Sequence, residues 1–108
     1  SAAAISISSP VHADPALRFY MEMLEHGGTE KEMAEIVLGT YFDAFLYANA
    51  FNSLKQLPMI YCQPKSIALQ TDQGVDILKR HLKSHPADID KRTGAVFLAA
   101  FTTAFPCP

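Results

Sequence analysis

The sequence predicts an all-α fold, a compact bundle of four main helices stapled by one disulfide. Three observations predict it. Apolar residues recur at helical spacing in four segments, and no stretch alternates apolar and polar residues over the length of a strand. The two cysteines stand at joints between segments, one in "MIYCQPK" and one in the closing "FPCP". At 108 residues, 49% of them hydrophobic, the chain is one domain with enough apolar surface for a core. No internal repeat divides it.

The opening "SAAAISISSPVHADP" is small and apolar, with small side chains at Val11 and Ala13. It resembles the end of a secretory signal peptide cleaved after Ala13. A disordered arm is the plainer alternative. Either way, residues 1–13 stand apart from a single helical domain at 14–108.

Asp14-Pro15 reads as a helix N-cap followed by proline at the first helical position. Leu17, Tyr20, Met21 and Leu24 then share a face, and Gly27-Gly28 ends the helix. Thr29 with Glu32 forms the capping-box pattern for a second helix, expected to run to Leu54. Its apolar residues make two stripes, one of Met33, Val37, Ala44, Ala48 and Phe51, the other of Leu38, Phe42 and Phe45. So wide an arc exceeds what a surface helix needs, which makes this helix central or shared with a second subunit. Leu38 and Phe42 are the candidate contacts of a homodimer.

Lys55 to Pro64 contains two prolines and reads as a loop, with a short helical turn expected at Ser66–Leu69. A third helix from about Thr71 buries Val75, Leu78 and Leu82 and exposes Lys79, Arg80 and Lys83. Pro86 should end it and open a fourth, whose core face carries Ile89, Thr93, Val96, Phe97, Ala100, Phe101 and Ala104. A Cys62–Cys107 bond would tie the loop after the second helix to the end of the fourth. Closing about 45 residues in this way stabilises a fold by about 4 kcal/mol. Two free buried thiols are the alternative.

The formal net charge is −2, which gives no reason to expect nucleic acid or an anionic membrane as partner. Residues 1–54 hold seven acids and two bases, residues 55–108 four acids and seven bases. The uncharged run Gly94–Phe105 falls well short of the ~20 residues that cross a bilayer. Catalytic patterns are sparse. Four histidines could serve Cys62, but no local signature pairs them. His81 and His85 share a helical face and with two thiols could form a Cys₂His₂ zinc site, yet no closely spaced cysteine pair supports one. No cofactor or metal is expected.

"YCQP" at Tyr61–Pro64, Gln73 followed by "VDILKRHLKSHP", and a small-residue helix ending "FPC" at Phe105–Cys107 together resemble the Rap/Tai family. These are immunity proteins that neutralise type VI secretion amidase effectors. The resemblance covers roughly Leu57–Cys107. It implies an all-helical, dimeric periplasmic protein with oxidised cysteines. It also implies a partner, a peptidoglycan amidase with a Cys–His active site, whose cleft the protein would occlude without chemistry of its own. The turn Ser84–Arg92 is the favoured protrusion, with Ser84, Asp88, Asp90, Lys91 and Arg92 as candidate effector contacts; the loop "KQLPMIYCQPK" is the other candidate. A periplasmic acid-stress chaperone, or another small envelope binding protein, is the competing class.

Overall fold

Four α-helices form where the apolar spacing places them: α1 at Leu17–His26, α2 at Gly28–Leu54, α3 at Thr71–Ser84 and α4 at Thr93–Ala104. A computed structural model describes residues 14–64 and 69–108 of the chain. The signal-peptide reading of residues 1–13 lies outside these described residues, as does most of the turn expected at Ser66–Leu69. The described residues contain no strand; one isolated bridge pairs Ala16 with Arg92. No helix among them is long and apolar enough to cross a membrane.

Gly27 separates α1 from α2, and its φ of 80°, followed by 60° at Gly28, is the left-handed backbone that only glycine adopts freely. The helix therefore starts one residue ahead of Thr29, and the Thr29–Glu32 capping box does not form. α3 is capped instead by a pattern the sequence reading passed over. The Gln70 N–H donates to Gln73 Oε1 at 2.8 Å, and the Gln70 side chain accepts from the Gln73 N–H.

The fourth segment departs from expectation. Pro86 opens only a 3-10 helix, Pro86–Asp90, and the chain extends at Lys91 and Arg92 before α4 begins at Thr93. The break has a long-range cause. Leu17 N–H donates to Lys91 O at 3.0 Å, and Thr93 N–H donates to Pro15 O at 3.1 Å, so the segment before α1 holds the chain open here. Asp14 belongs to this contact too. It does not cap α1, which starts at Leu17 with no side-chain cap. Its carboxylate accepts the Gly94 N–H at 3.2 Å, capping α4 from eighty residues away in sequence.

The core lies between α1, α2, α3 and α4. Leu17, Leu38, Leu78, Val96 and Phe97 are almost fully buried, each side chain contributing roughly 1.5–3 kcal/mol. Phe97 is the hub of an aromatic row. Tyr41 stacks on it at 5.2 Å, Phe42 lies 4.7 Å away, and Phe101 continues the row to Tyr61 at 5.4 Å. Phe42 can enter because its facing residue on α3 is Gly74, where a Cβ would lie 2.0 Å from the ring.

Leu38 is thus part of the chain's own core, and Phe42 is partly buried against that core. Leu38 has no exposed surface, and Phe42 packs on Phe97 and Phe101. The other stripe is divided: Met33 and Phe51 are each 55% exposed, while Val37 packs against the core.

Candidate functional site

The two candidate protrusions lie at opposite ends of the aromatic row. The Ser84–Arg92 turn is rich in charge, but its charges are paired within the molecule. Asp88 receives His81 Nε2 at 2.7 Å and Lys91 Nζ at 2.8 Å, and only 13% of its side chain is exposed. The Lys91 hydrogen bond, and then that from His81, hold its carboxyl below the usual carboxylate range. Asp90 takes two hydrogen bonds from the Arg18 guanidinium, 2.8 and 3.1 Å, which lower its pKa in the same way. Arg92 donates to Asp14 O at 3.0 Å. Beneath them Thr93 Oγ1 donates to Pro15 O at 2.7 Å, and the Tyr41 hydroxyl donates to the Asp14 carboxylate. Burial, with that carboxylate second, pushes the Tyr41 hydroxyl pKa well up, so it stays a donor. Of the five candidate contacts, Ser84 is exposed at the end of α3; Asp88 ties the turn to His81 of α3, Asp90 ties it to Arg18 of α1, Lys91 pairs with Asp88 within the turn, and Arg92 bonds to Asp14 ahead of α1.

The loop after α2 has the opposite character. Leu54, Leu57, Met59 and Ile60 are 83, 51, 38 and 38% exposed, and Lys55 is the only charge between Leu54 and Pro64. Yet the backbone beneath them is firmly held. Asn49, buried on the core face of α2, donates from Nδ2 to Tyr61 O and accepts the Ile60 N–H, both at 2.8 Å. Asn52, three residues on, donates to Pro58 O at 3.2 Å, and its own carbonyl accepts Leu57 N–H at 2.8 Å. Gln56 takes the left-handed conformation, φ 59°, at the end of α2, where glycine is the usual residue.

Comparison with family models, curated proteins and solved structures returned no match.

The far side of the loop is covalent. Cys62 and Cys107 are disulfide-bonded with Cα atoms 4.9 Å apart, and the Cys62 N–H donates to Phe105 O at 2.8 Å. Tyr61 beside them is 2% exposed and packs against Phe101 and Phe105. The two cysteine-bearing segments therefore form one joint. The bond also uses both thiols, so neither a Cys62 nucleophile nor the thiolates of a Cys₂His₂ zinc site is available in this state. His81 and His85 stack on each other at 4.5 Å, with His81 turned to Asp88.

Sequence reasoning missed Asn49 and Asn52. A signal was present: two asparagines at i and i+3 near the end of an otherwise apolar helix are poor helix formers without a partner, and the partner is the next loop. The resulting site is a rigid frame presenting four apolar side chains to the outside. Such a surface suits insertion into a cleft, because little chain entropy remains to be lost on binding.

Proposed function

We propose that this protein is an immunity protein that binds a type VI secretion peptidoglycan amidase and occludes its active-site cleft. The Leu54–Cys62 loop is the element that enters the cleft, and the protein works by binding, not by catalysis. The observation that supports the reading is the loop itself: apolar side chains outside, and a backbone fixed by Asn49, Asn52 and the disulfide. The disulfide is compatible with an oxidising compartment, and the reading places the protein in the periplasm, where such an amidase acts. Its partners are then the amidase, with a Cys–His active site, and a second copy of the chain.

The test mixes the purified chain with a secreted peptidoglycan amidase that has a Cys–His active site and follows cleavage of peptidoglycan fragments. Equimolar protein should suppress cleavage, and Leu57→Asp or Met59→Asp should restore it without lowering the melting temperature. Undiminished cleavage, with no complex, would remove the immunity reading. Suppressed aggregation of unrelated acid-denatured proteins in the same preparation would move the assignment to the chaperone class.

A further inference from the structure

A cavity of about 270 Å³ opens between α1, α2 and α3, beside the first half of α2, whereas the loop follows its last turn. The floor is apolar, made by Met21 and Leu24 of α1 and the buried Val75 of α3. The rim is charged: Glu25, Glu35, Asp72 and Asp76 stand against Lys31 and Lys79. Asp72 accepts the Gln73 N–H at 3.0 Å, but among the described residues no ion pair holds any of the six. Glu35 also lines a shallower trench, with Glu32, Asp43, Gly39 and Thr71. Gly39 leaves the trench floor unfilled; a Cβ there would lie 3.3 Å from Thr71 Oγ1. Cavity and trench meet at Glu35 and at the neighbours Thr71 and Asp72, so they form one groove along α2 and α3. Glu32 and Asp43 add two carboxylates to the four at the cavity, against the same two ammonium groups.

We propose that this groove takes an arginine-bearing basic segment of a partner protein, with one arginine side chain in the cavity. The inference goes beyond the amidase reading and does not depend on it. Size and chemistry together select the occupant. The volume lies below the ~300 Å³ at which pockets for drug-sized ligands begin, which suits a single long side chain. An apolar floor under a net negative rim calls for an apolar stem with a positive head. Arginine has both. Its methylenes can lie on Met21, Leu24 and Val75 while the guanidinium offers paired N–H donors to the rim carboxylates. An anionic occupant would meet like charge, and a purely apolar one would cover carboxylates without pairing them.

The trench sets a spacing for the segment. Glu35 and Asp43 are about 12 Å apart along α2. In an extended chain, side chains four residues apart point the same way and are separated by about 13 Å. With one arginine in the cavity, a second arginine four residues on therefore reaches Asp43.

The probe is the blocked peptide acetyl-Arg-Ala-Ala-Ala-Arg-amide, titrated into the full isotope-labelled chain at low ionic strength and followed by NMR. Binding should shift amides along the groove, and added salt should weaken it. Citrulline at both arginine positions keeps the shape without the charge and should abolish binding. Glu35→Lys should weaken binding on the order of tenfold, because Glu35 lines both hollows. Glu22→Lys makes the same charge change at an exposed position of α1 outside the groove, and should weaken binding less than about twofold. No binding, or shifts spread over the whole acidic surface, would overturn the proposal. Equal weakening by the two variants would do the same, since it would show attraction to net charge alone. A citrulline peptide that binds as well as the arginine peptide would also overturn it. If Glu35→Lys fails to fold by circular dichroism, Asp43→Asn combined with Asp76→Asn, both at exposed positions, takes its place with the same expectation.

Discussion

The two ends of the molecule solve opposite problems. At the Asp14–Arg92 end, polar groups are turned inward: Asp14 caps α4, Asp88 takes both His81 and Lys91, and Asp90 takes Arg18. At the Leu54–Cys62 end, polar groups hold the backbone from beneath while apolar side chains are left outside. A charged turn is commonly read as a contact surface and an apolar loop as core. Here the charged groups of the turn have partners within the chain, and the apolar side chains of the loop are exposed. What decides is whether each group's natural partner is already present in the fold, and that depends on contacts remote in sequence.

The largest effect should come from cutting the loop end. Cys107→Ser frees the end of α4 from the loop and restores to the unfolded chain the freedom of a closure spanning 45 residues. The expected loss is about 4 kcal/mol. For a domain of this size that corresponds to a fall in melting temperature on the order of 20 °C. A fall of only a few degrees would mean that Asn49 and the Tyr61 packing hold this end without the bond.

The clamp end should yield less. Asp14→Ala removes the carboxylate that caps α4 and receives the Tyr41 hydroxyl. Losing a helix cap costs about 1–2 kcal/mol, to be read from chemical denaturation. Asp14→Asn keeps an oxygen for the Gly94 N–H and should recover part of that loss. Equal losses for the two variants would assign the contribution to charge and not to capping.

This contrast also explains what the sequence made legible. Helix number, the limits of α2 and α3, and the buried set Val96, Phe97, Ala100 and Phe101 follow from spacing, because each is a local pattern with a single period. The staple was legible because two cysteines admit one pairing. Asp14 was misplaced because Asp-Pro before an apolar face satisfies every local rule for an N-cap, while its true partner, Gly94, carries no mark in the sequence. The same holds for α4. Nothing local opposes a helix from Pro86 onward; Pro15 and Leu17 break it by pairing with Thr93 and Lys91. The two stripes of α2 were legible as stripes, but which one faces inward is set by Gly74 of α3 receiving Phe42. Of the candidate site, the loop was visible and its internal support was not.

The smallest effect should come from the exposed ion pair between Asp90 and Arg18, whose side chains are 64% and 49% exposed. Solvent screens such pairs, so Asp90→Asn should lower the melting temperature by only a few degrees at neutral pH. Its pH dependence is more informative than its size. The Arg18 hydrogen bonds, and then its charge, hold the folded Asp90 pKa below the unfolded value, so the pair's contribution is fully present above the usual carboxylate value of about 4. It is lost as pH falls through the depressed folded value. The melting curves of wild type and Asp90→Asn should therefore differ at pH 7 and converge under strongly acidic conditions, where both lack the ion pair. If the proposed function holds, inhibition of the amidase at neutral pH should be the same for the two proteins, because the carboxylate is turned to Arg18. An Asp90→Asn protein that melts like wild type but no longer inhibits would return the recognition surface to the Ser84–Arg92 turn and break the contrast between the ends.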